Sequence, residues 1–99
     1  MDRRLVFEDF SDKVGQIFSI TFDDAPAIAM TLAEAELMPS SLKGADVRPA
    51  FSLVFLIDVP KMLPQQLYRV EQEALGQMDL FLVPVGKKPD GFEYQAMFN

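Results

Sequence analysis

Apolar residues recur along this chain at two periods, and the changes of period mark where elements begin and end. In the opening segment FEDFSDKV, Phe7, Phe10 and Val14 fall at i, i+3 and i+7. That spacing predicts one stripe of a short helix, which Gly15 would close. From Gln16 to Phe22 the period is two, with Phe18, Ile20 and Phe22 on one face and Ser19 and Thr21 on the other. This is the pattern of a half-buried strand. Asp23-Asp24-Ala25-Pro26 ends it with turn chemistry, short side-chain acceptors followed by a fixed φ. Ala27 to Leu37 is rich in helix-forming Ala, Glu and Leu. Yet Ile28, Met30 and Leu32 alternate with Ala29, Thr31 and Ala33, and Pro26 and Pro39 frame a strand-like length, so the segment reads as a strand. A regular strand would put Glu34 and Glu36 on the apolar face. Either the strand leaves the core there or a bulge resets it.

The remaining segments read the same way. Pro39 to Pro49 is a polar loop. Ala50 to Asp58 is the clearest strand: Phe51, Leu53, Phe55 and Ile57 form one face, and the other, with Val54 and Leu56, is mostly apolar too. That predicts cover on both faces. Leu67 to Glu71 places Tyr68 and Val70 inward and Arg69 and Glu71 outward. Met78 to Val85 is a nearly continuous apolar strand. Phe92, Tyr94, Ala96 and Phe98 alternate with Glu93 and Gln95, and Gly86 to Gly91 forms the hairpin loop between these last two strands. About six strands and one short N-terminal helix result. Short connections imply antiparallel pairing. The expected fold is mainly β, a small sheet curled into a barrel-like or sandwich-like domain spanning 1–99.

Composition narrows the chemistry more than it changes the fold. The chain has no Cys and no His, which removes disulfides, thiolate nucleophiles, Ser-His or Cys-His pairs and imidazole metal ligands. Fifteen acidic residues against nine basic ones give a net charge of −6. Basic residues occur only singly or as the pairs Arg3-Arg4 and Lys87-Lys88, so neither nucleic acid nor an anionic membrane is an expected partner. Glu8, Asp9 and Asp12 interrupt what would be the apolar core of a signal peptide, and the expected location is cytoplasmic.

Carboxylates remain as possible chemistry. Asp23-Asp24 reads as a solvated turn, and Glu71, Glu73 and Asp79 flank another. No residue is assigned a catalytic, cofactor-binding or metal-binding role. The candidates for contact or pocket residues are Arg48, Tyr68, Glu71 and Tyr94. Arg48 precedes Pro49 at the head of the strongest strand, where a guanidinium can clamp a carboxylate or meet an acidic partner. Tyr68 and Tyr94 have polar tips that either line a small pocket or bond backbone from within the core.

Arg48-Pro49-Ala50-Phe51-Ser52-Leu53-Val54-Phe55 begins a run of more distinctive segments. With Leu63-Pro64-Gln65, Tyr68-Arg69, Leu80-Phe81-Leu82-Val83-Pro84-Val85-Gly86 and Tyr94-Gln95-Ala96-Met97-Phe98, it resembles a family of short bacterial proteins of unknown function. The likeness extends to Phe10, Val14, Gly15 and Phe18, and so covers nearly the whole chain. It implies no catalytic residue. The resemblance implies that some relatives carry His where this chain has Gln72, which argues against an essential imidazole here. It also implies an assembly or accessory role, since such proteins accompany phage-tail-like genes. The expected function is therefore a non-enzymatic β-domain that binds a protein partner or itself, because open sheets leave edges that invite pairing. The alternatives are a small-ligand-binding β-barrel and, more remotely, a carboxylate-based hydrolase.

Overall fold

The structure is a computed structural model and describes residues 5–38 and 50–98. Within them a single helical turn, α1 (Glu8–Ser11), precedes six strands: β1 (Ile17–Thr21), β2 (Ile28–Leu37), β3 (Phe51–Ile57), β4 (Gln66–Gln72), β5 (Gly76–Lys88) and β6 (Gly91–Phe98). All pairings are antiparallel, and the sheet closes on itself in the order β1-β2-β3-β6-β5-β4. Alternation explains the closure. Phe18 and Ile20 of β1, Leu53 and Phe55 of β3, and Leu80 and Leu82 of β5 all point inward and are at most 2% exposed. A barrel of this size has room inside for side chains alone.

Strand lengths are unequal, and the sheet absorbs the difference in two bulges. In β2, Leu32 faces Phe55 and Glu34 faces Val54, so Ala33 has no partner. The extra residue lets Leu32 and Ala35 both face inward and turns Glu34 and Glu36 to solvent. It resolves the conflict posed by those two acids, and tertiary pairing overrides the helix propensity of this segment. In β5, Pro84 faces Tyr94 and Gly86 faces Glu93, leaving Val85 unpaired. Each bulge lies just past the point where one neighbour ends, β1 at Thr31 and β4 at Leu82. Beyond it the strand pairs on one side only.

Several expectations need correction. The helix is not 7–14 but Glu8–Ser11, and Val14 is half exposed. Gly15 N donates to Leu32 O at 2.7 Å, so the chain leaves the helix to enter the sheet before a second turn can form. Gly86 to Lys88 is not loop but strand paired to β6, which leaves a tight turn at Pro89-Asp90. The outer face of β3 is only partly covered: Ser52 is buried, whereas Val54 and Leu56 are half-buried between flanking rows of β2 and β6. Free sheet edges are largely absent from the described residues because the barrel is closed. The two overhangs carry devices that blunt an edge, Glu34 and Glu36 on β2 and Pro84, Lys87 and Lys88 on β5. The loop at 39–49 lies outside the described residues.

A barrel also has two mouths. At one, Phe10 of α1 is fully buried among Phe18, Phe51 and Phe98, with ring centroids 5.7–6.1 Å apart. Phe51 and Phe98 stack at 4.4 Å beside it. At the other, residues 58–65 must travel from β3 to β4, which are not neighbours in the sheet. They cross that mouth and pack Val59 and Leu63 against the core.

Phe10→Ala is expected to cost about 3–5 kcal/mol in urea unfolding, whereas Val14→Ala stays within roughly 0.5 kcal/mol. Equal effects would mean that α1 is no plug. Gly91 has φ +145°, and a Cβ there would collide with the Ile57 carbonyl oxygen and lie 3.2 Å from Asp58 Cα. Gly91→Ala should therefore lower the melting midpoint sharply, while Gly86→Ala, whose added carbon meets only the end of the Glu93 side chain at 3.4 Å, should not.

Candidate functional site

Two of the sequence candidates meet at the mouth crossed by residues 58–65. Tyr94 is fully buried, and its hydroxyl accepts from Leu63 N and lies 3.5 Å from Leu63 O. The Tyr68 hydroxyl donates to Pro64 O. Both tyrosines pin the crossing segment to the barrel. Burial, and secondarily the nearby Tyr94, raise the Tyr68 pKa above the ordinary phenol value.

Glu71 stands apart from them, on the opposite face of β4. It sits outward between Ser19 of β1 and Gln77 of β5, whose side-chain amide donates to it at 3.1 Å. The β1–β4 seam is short, with only Ser19, Ile20 and Thr21 paired to Glu71, Val70 and Arg69. A side-chain bond extends it: Gln72 Nε2 donates to Gln16 Oε1 at 3.0 Å. The same amide's Oε1 accepts from Ala74 N and Leu75 N, which fixes the β4–β5 turn and satisfies this buried group. Arg48 lies outside the described residues.

Grooves open on the barrel's outside at both ends of this seam. One, of about 490 Å³, is lined by Ile17, Ser19, Glu71, Gln72, Glu73, Gly76 and Gln77. The other, of about 370 Å³, is lined by residues including Asp23, Tyr68, Arg69 and Asp79. Each holds two carboxylates, but Glu73, Asp23 and Asp79 are exposed and Glu71 is only half-buried. Among the described residues, no three Asp or Glu side chains gather as a metal site.

A different feature escapes a reading based on candidate chemistry. Several outward positions of β4, β5, β6 and β3 are apolar, set between polar ones such as Arg69, Asp79 and Gln95. Leu67 and Phe81 are cross-strand partners, 60% and 49% exposed. Val83, two residues beyond Phe81 on the same face, is level with Gln95, and Gln95 with Val54. Met97, also outward, is 50% exposed. Phe81 is the only exposed phenylalanine among the described residues. The signal was present in LFLVPV, where outward Phe81 and Val83 interrupt inward Leu80 and Leu82, but a continuous apolar strand looks the same when it is buried on both faces.

Residues 5–98 match the model of a family described as a domain of unknown function, DUF6916. No curated protein and no solved structure matches the chain significantly.

Tyr94→Phe strands the Leu63 N–H and should cost about 1–3 kcal/mol in urea unfolding. The raised Tyr68 value sets a sign for alkaline pH. Its contribution to stability is fully present below the unfolded phenol value near 10 and is lost as pH rises through the higher folded value. Ultraviolet titration should show a phenolate that forms later than free tyrosine and is lost from the curve in Tyr68→Phe. A Tyr68→Phe curve that loses only a normally titrating phenolate would contradict the burial of this group.

Proposed function

The chain belongs to the DUF6916 family, and from that premise we propose that it is a non-catalytic contact module that docks a protein partner through the outside of its barrel. The observation that carries this reading is the outward cluster of exposed Leu67, Phe81 and Met97 with half-buried Val83 on neighbouring strands. Contiguous apolar patches on an outer face are costly to leave in water and mark contact sites. The small-ligand reading has less support, since Tyr94 is fully buried and the inward side chains fill the barrel. Strand addition has less support too, because the overhanging edges carry a proline, lysines and acids. The resemblance to proteins accompanying phage-tail-like genes favours an assembly or accessory role. The acidic balance speaks against nucleic acid and anionic membranes as partners, and a Cys-free chain suits the cytoplasm. Among the described residues, no helix is long and apolar enough to cross a membrane.

A photo-crosslinking residue placed at Phe81 should capture a discrete partner in the native cell, and one placed at Thr31, on the outer face of β2, should not. Leu67→Ser with Phe81→Ser should abolish the interaction while leaving the circular-dichroism spectrum unchanged. Indistinguishable crosslinking from both positions would remove the outer band as a docking face.

A further inference from the structure

Acidic side chains border the apolar cluster on its β2 and β6 sides, and this bears on what can cover it. Glu34 is the cross-strand partner of Val54, and Glu36 that of Ser52, on the β2 side. Glu93 faces Leu56 of β3 on one flank and Gly86 of β5 on the other. Asp79 lies two residues before Phe81 on the same face of β5. Among the described residues, the bases on these strands are Arg69, opposite Asp79, and Lys87 and Lys88 at the far end of β5. The chain as a whole carries −6.

We infer that the partner of this band is a protein surface with an apolar centre and a lysine- or arginine-rich rim. The inference rests on the docking reading above and adds the charge rule. Apolar contact supplies the non-directional part of such an interface, whereas the rim selects partners and accelerates encounter. A second copy of this chain fits the apolar centre but sets acidic rim against acidic rim. A basic partner brings opposite charges together at the same positions. The acids sit on strands of a closed barrel, so the complementary pattern is presented preformed, without the ordering that a flexible acidic tail would require.

Two synthetic amphipathic peptides of equal length, one Leu/Lys and one Leu/Glu, test this by fluorescence anisotropy with the intact chain. The Leu/Lys peptide should bind at least about tenfold more tightly at low salt, with the margin shrinking as salt rises. Glu34→Lys with Glu36→Lys and Glu93→Lys should reverse the preference, and Leu67→Ser with Phe81→Ser should weaken both peptides. Equal binding of the two peptides, lost in the Ser variant, overturns the charge rule while the docking face stands. Binding of neither overturns the inference. A dimer in sedimentation that Phe81→Ser disperses also overturns it and assigns the band to a second copy.

Discussion

The structure depends on filling a narrow barrel and sealing both of its mouths. Closure satisfies the backbone bonds of every strand over its paired length, but it also creates an interior that only side chains can occupy. Phe18, Ile20, Leu32, Leu53, Phe55, Val70 and Leu82 fill it, each fully buried. One mouth takes Phe10, delivered by a single helical turn. The other is crossed by residues 58–65, which Tyr68 and Tyr94 hold in place. A gap at either end would admit water to the core of a small domain whose net stability is a small difference between large terms.

Unequal strand lengths link this constraint to the outer surface. β2 and β5 outrun one neighbour each, and a bulge past that point re-aims the rest of the strand. On β2 the bulge puts Glu34 and Glu36 outside, and there they border the apolar band. The short β1–β4 seam opens a groove at each end and relies on the Gln16–Gln72 bond for added hold. Gln72 thus has a structural task that its amide fulfils: two backbone donors on its oxygen and one acceptor for its nitrogen.

Much of the fold was legible because burial alternates residue by residue. Ile20 against Thr21, Leu53 against Val54 and Tyr94 against Gln95 each reveal a face. The helix was overextended because Val14 fits a helical stripe, and no local signal shows that the Gly15 N–H will pair with Leu32. Of the candidate site, Tyr68 and Tyr94 were visible as tyrosines in strands, but nothing in the chain says that both reach the segment at 63–64. Leu67, Phe81 and Met97 were visible as apolar residues and could not be told from core. Alternation separates two faces without saying which of them another layer covers.

The sequence by itself therefore determined the strands, the antiparallel class, the family, and a chemistry without thiol or imidazole. These come from the period-two pattern, the short connections, the whole-chain motifs and the composition, all of which are local or additive. Tertiary structure alone decided that the sheet closes through β1 and β4, that residues 58–65 cap a mouth, and that Leu67, Phe81 and Met97 face outward. Those outcomes depend on which strands become neighbours and in what register. Register is fixed by contacts between residues as distant as Ser19 and Glu71, or Val54 and Gln95, which no window along the chain contains.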